Sequence, residues 1–146
     1  MIAIDTNILV YAHRPECPFH AQAKRCVEGL ARSGQPFGMP VHCLIEFVGV
    51  VSHPRVWAQP SSARDIIEQV EAWLEVPALR LLAEDAEFWG SFRDALRTAR
   101  PTGGAVHDAR IAACCRYHGI RELWSADRDF SRYDWLHTRN PLLEDG

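Results

Sequence analysis

The sequence predicts an α/β fold: a doubly wound, mostly parallel sheet flanked by helices on both faces, in a single domain over residues 1–146. Three observations predict it. Short apolar runs alternate with amphipathic stretches of helical length, the pattern of successive strand-helix units whose parallel strands need such crossovers. A length of 146 residues suits one hydrophobic core. No internal repeat, low-complexity tract or Pro/Gly-rich linker divides the chain.

The first strand runs from Ile2 to Asp5, an apolar run ending in an acid, and a helical turn from Asn7 to His13 leads away from it. An amphipathic helix follows from Phe19 to Arg32, closed by Ser33 and Gly34. Phe37 to Met39 forms a short strand before Pro40. Val41, Leu44, Ile45, Val48 and Val51 then recur at helical spacing until His53-Pro54 stops the helix, which also carries Glu46. Arg55 to Pro60 is a loop in which Trp57 is exposed or covers an opening. Ser62 and Asp65 form a capping-box-like start, with Asp in place of Glu or Gln, for a helix carrying Ile66, Ile67, Val70, Trp73 and Leu74. Ala78 to Leu82 is a strand, Glu84 to Ala99 a helix, and Arg100 to Gly104 the most flexible connection. A helix from Val106 to His118 ends at Gly119. The strand Glu122 to Trp124, the turn Asp127 to Phe130 and a short strand near Leu136 to Arg139 complete the order.

Composition narrows the class of protein. Hydrophobic residues make up 47% and charged residues 24%, as in soluble globular domains. The N-terminal apolar run is broken by Asp5 and Asn7 and has no basic leader, so it reads as mature protein. No stretch approaches the roughly 20 apolar residues that cross a bilayer; a soluble, cytoplasmic protein with no membrane partner is expected. The five cysteines are an odd number without a C-x-x-C, which favours reduced, buried thiols over disulfides or a zinc knuckle. The net charge of -3 argues against a nucleic-acid partner only if the acids are spread evenly; with four carboxylates gathered around cations the remainder is -3 + 4 = +1. Of the 16 basic residues, Lys24 is the only lysine. Arginine suits phosphate recognition, although a GC-rich genome gives the same bias and is the stronger explanation.

In an open parallel sheet, ligands bind beyond the carboxyl ends of the strands. Asp5 and Asp127 both follow strands, and Asp108 opens a helix after a glycine loop at the same edge. Glu46 lies mid-helix among apolar neighbours, where an isolated ionised carboxylate is costly and a cation would compensate it. Each acid has a plain alternative: Asp5 a helix cap, Asp108 a first-turn acid, Glu46 a salt-bridge partner, Asp127 a turn residue. Their joint placement points instead to hard divalent cations, which take oxygen ligands and serve phosphodiester hydrolysis.

The motifs I-A-I-D-T-N at 2–7, I-E-F at 45–47, H-D-A-R-I-A-A at 107–113 and L-W-S-A-D-R-D-F at 123–130 make the chain resemble the PIN-domain nucleases, and within them the VapC-type toxins, over essentially its whole length. The resemblance implies a PIN-like fold and a metal-dependent endoribonuclease whose acidic quartet, Asp5, Glu46, Asp108 and Asp127, binds Mg2+ or Mn2+ and carries catalysis. It also implies supporting roles for Asn7 and Ser125, with Asp129 a possible fifth acid. The partners it implies are an RNA substrate, a small cognate antitoxin and a second copy of the chain in a homodimer.

Other residues carry weaker signals. Arg14, Arg110 and Arg128 flank the acids and are candidates for RNA phosphates, with surface solvation an equal explanation. His42 shares a helix face with Glu46 but is expected at a helix N-terminus or the surface and is left out of the metal site. His107 is placed at the rim, and the tryptophans are expected in the core or an interface more than stacked on bases. Two other classes remain. A phosphatase-like phosphotransfer enzyme would want an acid two residues after the first and a late lysine, where this chain has Asn7 and only Lys24. A non-catalytic RNA- or protein-binding module would bind without metal and would not need the acidic quartet.

Overall fold

The computed structural model describes residues 1–143. The element order is β1 (Ile2–Ile4), α1 (Thr6–His13), α2 (His20–Arg32), β2 (Phe37–Pro40), α3 (Val41–Val51), α4 (Ala63–Leu74), β3 (Leu79–Leu82), α5 (Phe88–Ala99), α6 (Ala105–Tyr117), β4 (Glu122–Trp124) and β5 (His137–Arg139), with a 3-10 turn at Asp129–Arg132 between the last two strands. The strands form one sheet in the order β3-β2-β1-β4-β5. Every pairing is parallel, so the sheet is wholly rather than mostly parallel.

That order reverses at β1. The chain steps outward from β1 to β2 to β3, then crosses back to lay β4 on the other side of β1. Parallel crossovers are right-handed, so the helices of the outward half and those of the return half fall on opposite faces. Their packing agrees: α1 lies against α2 and α3, while α5 lies against α6. The switch point is the crevice beyond the carboxyl ends of β1 and β4.

Apolar periodicity explains most of the packing. Ala3 and Ile4 of β1, Ile8 and Leu9 of α1, and Leu123 of β4 are fully buried. Helix α6 buries Ala109 and the run Ile111 to Cys115, and the small side chains let it lie close to the sheet. Gly38 of β2 marks another close approach, since a Cβ there would stand 2.7 Å from Leu82 Cδ1 and 3.2 Å from Ile120 Cδ1. Phe47 of α3 meets Trp73 of α4 edge to face at 5.0 Å.

Departures from expectation have local causes. Helix α5 begins at Phe88 rather than Glu84, because the Asp85 carboxylate accepts from Glu87 N and Asp85 O accepts from Phe88 N, holding 84–87 in a turn. Ser62 caps α4 by accepting from Asp65 N at 3.1 Å. Ile45 and Ile67, counted among the apolar periodic positions, are exposed; α3 turns Cys43, Leu44, Phe47 and Val51 inward instead. Cys43, Cys114 and Cys115 are buried, while Cys17 and Cys26 are half-buried. Among the described residues, no helix is long and apolar enough to cross a membrane.

Candidate metal centre

Strand β1 delivers Asp5 to the switch point. Asp5 N donates to Trp124 O at 3.0 Å, tying the end of β1 to β4. In an extended conformation (φ -80, ψ 161) Asp5 caps α1, with Oδ1 accepting from Thr6 N at 2.7 Å. Oδ2 accepts from the Ser125 hydroxyl at 2.6 Å. The carboxylate is only 5% exposed. Burial, opposed by the Ser125 and Thr6 hydrogen bonds and assisted by Glu46 and Asp127, pushes its pKa up to about 6.

The remaining acids come from α3, α6 and the loop after β4. Glu46 Oε1 accepts from the Thr6 hydroxyl at 2.6 Å, so the first residue of α1 aims an acid 40 positions away. Its side chain is 34% exposed, so the burial cost expected at mid-helix falls on Asp5 rather than Glu46. Asp108 stands in the first turn of α6. Burial, then the charges of Asp127, Asp5, Asp129 and Glu46, pushes it up to about 6. Asp127 N donates to Ser125 Oγ at 2.9 Å, and Asp127 Oδ1 accepts from Asp129 N at 2.9 Å. Asn7 Oδ1 accepts from Ala126 N at 3.2 Å, and Asn7 Nδ2 donates to Ser125 Oγ at 3.4 Å.

Asp5, Glu46, Asp108 and Asp127 thus line one cavity of about 290 Å3, together with Thr6, Asn7, Val10, Tyr11 and Val50. Asp108, Asp127 and Asp129 each place a carboxylate oxygen within 4.8 Å of the others. Carboxylates crowded in this way repel one another, and this repulsion adds to the burial that raises Asp108. An all-oxygen donor set of this kind fits a hard divalent cation, which would relieve it.

The three flanking arginines are placed differently. Arg110 forms a two-pronged ion pair with Glu84 at 2.5 and 2.9 Å. Arg14 pairs with Glu16, donates to Ser61 Oγ and Gln59 O, and lies 4.3 Å over the ring of Trp57. Trp57 in turn donates to Val50 O. Arg128 is exposed, lines a cavity of about 400 Å3 beside Ser125 and Asp127, and makes no ion pair among the described residues.

Several residues escaped the sequence reading. Thr6 sits inside the first motif, but nothing in its spacing says that its hydroxyl reaches Glu46. The Cys43 thiol lies 3.8 Å from Asp5 Oδ1. His42, expected at a helix N-terminus or the surface, is the second residue of α3 but only 10% exposed at its side chain, and it stacks on His107, ring centroids 5.2 Å apart and 7° from parallel. That contact joins α3 to α6, which no one-dimensional pattern reports.

A wholly parallel α/β domain with an acid-lined cavity at its switch point defines the class. The chain belongs to the PIN domain family, whose profile matches residues 2–136, and within it to the VapC-type proteins. It is 36% identical to ribonuclease VapC43 of Mycobacterium tuberculosis over 142 residues, covering 97% of this chain and 96% of that one. Among solved structures it is similar in fold to M. tuberculosis VapC20, described as a sarcin-ricin loop cleaving toxin, with a TM-score of 0.71, 20% identity, and 96% and 100% of the two chains covered. It is also similar to VapBC2 of Rickettsia felis bound to a promoter DNA fragment, with a TM-score of 0.66, 20% identity, and 96% and 98% covered.

Proposed function

We propose that the chain is an endoribonuclease that hydrolyses RNA phosphodiester bonds with Mg2+ or Mn2+ and acts in the cytoplasm as the toxin of a toxin-antitoxin pair. One observation carries the reading: four carboxylates from separate parts of the sequence line a single cavity at the sheet's switch point. Relatives named as VapC ribonucleases across nearly the whole length support the substrate class.

Asp5, Glu46, Asp108 and Asp127 would hold the cation, with Asp129 beside them. When bound there, a divalent cation supplies charge neutralisation for the phosphodiester and a water more acidic than bulk. The protein's own part is positioning. Ser125 and Thr6 N fix both oxygens of Asp5, Thr6 Oγ1 fixes one of Glu46, and Asn7 holds the loop that carries Asp127. Arg128, exposed beside Asp127, would meet a backbone phosphate of the RNA. Arg14 and Arg110 are engaged by Glu16 and Glu84 and would have to exchange those partners to do the same. Asn7, where a phosphotransfer enzyme would carry its second acid, is occupied in holding Ala126 and Ser125, which disfavours that alternative.

The antitoxin partner is supported by similarity to the VapBC2 assembly. A homodimer is proposed from membership of the VapC-type proteins. The test is cleavage of total RNA by purified protein with Mg2+ or Mn2+, beside Asp5→Asn and Asp108→Asn. Cleavage that needs the cation and falls at least about 100-fold in both variants supports the reading; undiminished cleavage in both overturns it. Growth arrest on expression, relieved by a neighbouring small gene product, tests the toxin role separately.

A further inference from the structure

Beside the acidic cavity is a second group of ligand atoms with different chemistry. His42 and Glu46 stand one turn apart on α3, with His42 Nε2 3.9 Å from Glu46 Oε2. His107, one residue before Asp108 on α6, brings its ring parallel to that of His42. One ligand atom from each of the three lies within 4.8 Å of the other two. His42 Nε2 is buried and has no hydrogen-bond partner among the described residues. A buried imidazole nitrogen left without a partner is costly, and here it faces a carboxylate oxygen and a second imidazole. Arg110, the cation beside His42, is neutralised by its fork with Glu84.

We propose that His42, Glu46 and His107 form a second cation site, selective for a divalent transition metal such as Zn2+ and distinguished from the oxygen-only centre by its two imidazoles, with Glu46 shared between the two. Two imidazoles and one carboxylate suit Zn2+, Ni2+ or Cu2+ far better than Mg2+. Three protein ligands leave a fourth position open. Ligands about 2.1 Å from a tetrahedral ion stand about 3.4 Å apart, and each imidazole binds in its own ring plane, so closing on an ion would turn the His42 and His107 rings out of their parallel stack. Glu46 links the two sites: Oε1 is held by Thr6 in the acidic cavity, while Oε2 faces His42. A metal on the histidine side would therefore fix or draw away an acid of the other centre.

The inference does not rest on the ribonuclease reading, because binding is read without RNA. Chelator-stripped full-length protein is titrated with Co2+, a spectroscopic stand-in for Zn2+, and then with Zn2+ as competitor. The expected result is one strongly absorbing, tetrahedral-type Co2+ per chain, distinct from any weakly absorbing Co2+ held by the oxygen-only centre, displaced by Zn2+ and resistant to about 100-fold more Mg2+. Exposed His107→Ala, whose fold is checked by its melting curve, loses at least about tenfold in affinity. His42→Gln does the same, and Asp108→Asn retains the absorption. Absence of the absorption in the unmodified protein overturns the proposal. So does equal affinity in the histidine variants, or a loss in Asp108→Asn as large as theirs.

Discussion

The Ser125 hydroxyl donates to Asp5 Oδ2 at 2.6 Å and, through the same oxygen, accepts from Asp127 N and Asn7 Nδ2. One fully buried hydroxyl thus joins two proposed cation ligands that lie on either side of the β1–β4 pairing. Ser125→Ala leaves Asp127 N without its acceptor and Asp5 without a donor, at about 1–3 kcal/mol of stability. Urea unfolding measures the loss, and Ser125→Thr, which keeps the hydroxyl, should restore part of the RNA cleavage. An alanine variant as stable and as active as the parent would remove the joint role of Ser125.

Thr6 Oγ1 holds Glu46 Oε1 at 2.6 Å, so Thr6→Val keeps the shape of the first turn and removes the donor. By the usual effect of deleting a hydrogen bond to a ligand, Mn2+ affinity should fall about 10- to 100-fold. Isothermal titration with Mn2+ checks this directly. An unchanged affinity would mean that Glu46 needs no such anchor.

Asp5 and Asp108 are both lifted from 3.8 to about 6 in the fold. A carboxyl group raised in this way contributes stability that is complete below its unfolded value near pH 4 and lost as pH rises through 6. For buried Asp5, ionising at neutral pH costs the fold about 3 kcal/mol. Cation-free protein should lose stability from pH 4 to 7, and Asp5→Asn should flatten that slope. Mn2+ should raise Tm more at pH 7 than at pH 5, because protons compete for the same oxygens. Thermal melts with chelator or Mn2+ at both pH values report both effects, and equal Mn2+ shifts would contradict the competition.

Gly38→Ala places a methyl group 2.7 Å from Leu82 Cδ1 in the core between β2 and β3. Overpacking of this kind costs about 1–3 kcal/mol. The substitution should lower Tm while leaving Mn2+ affinity unchanged, since Gly38 touches none of the acids. A large loss of Mn2+ binding in folded protein would show that β2 sets the position of Glu46.

The order of strands and helices was legible because buried strands and amphipathic helices leave different periods in the chain, and every expected element is present within a few residues. The misplaced start of α5 is a side-chain matter, a turn closed by the Asp85 carboxylate and carbonyl that apolar spacing does not register. Asp5, Asp108 and Asp127 were legible because each follows a strand or opens a helix, positions that topology alone carries to one edge, whereas mid-helix Glu46 stood out only as an acid among apolar neighbours and within the I-E-F motif. Contacts decided by the angle between helices were not legible. The hold of Thr6 on Glu46 and the stacking of His42 on His107 depend on how α1, α3 and α6 incline toward one another. The sequence also overestimated the burial of Glu46, since an apolar neighbour such as Ile45 can itself face solvent.

The reversal of strand order at β1 has a consequence for synthesis. Asp5 leaves the ribosome early, yet the strand that seats it against Ser125 is β4, more than 110 residues later. A nascent chain that has reached only α6 therefore holds its first acid without the partner strand, and cannot yet assemble the acid-lined cavity.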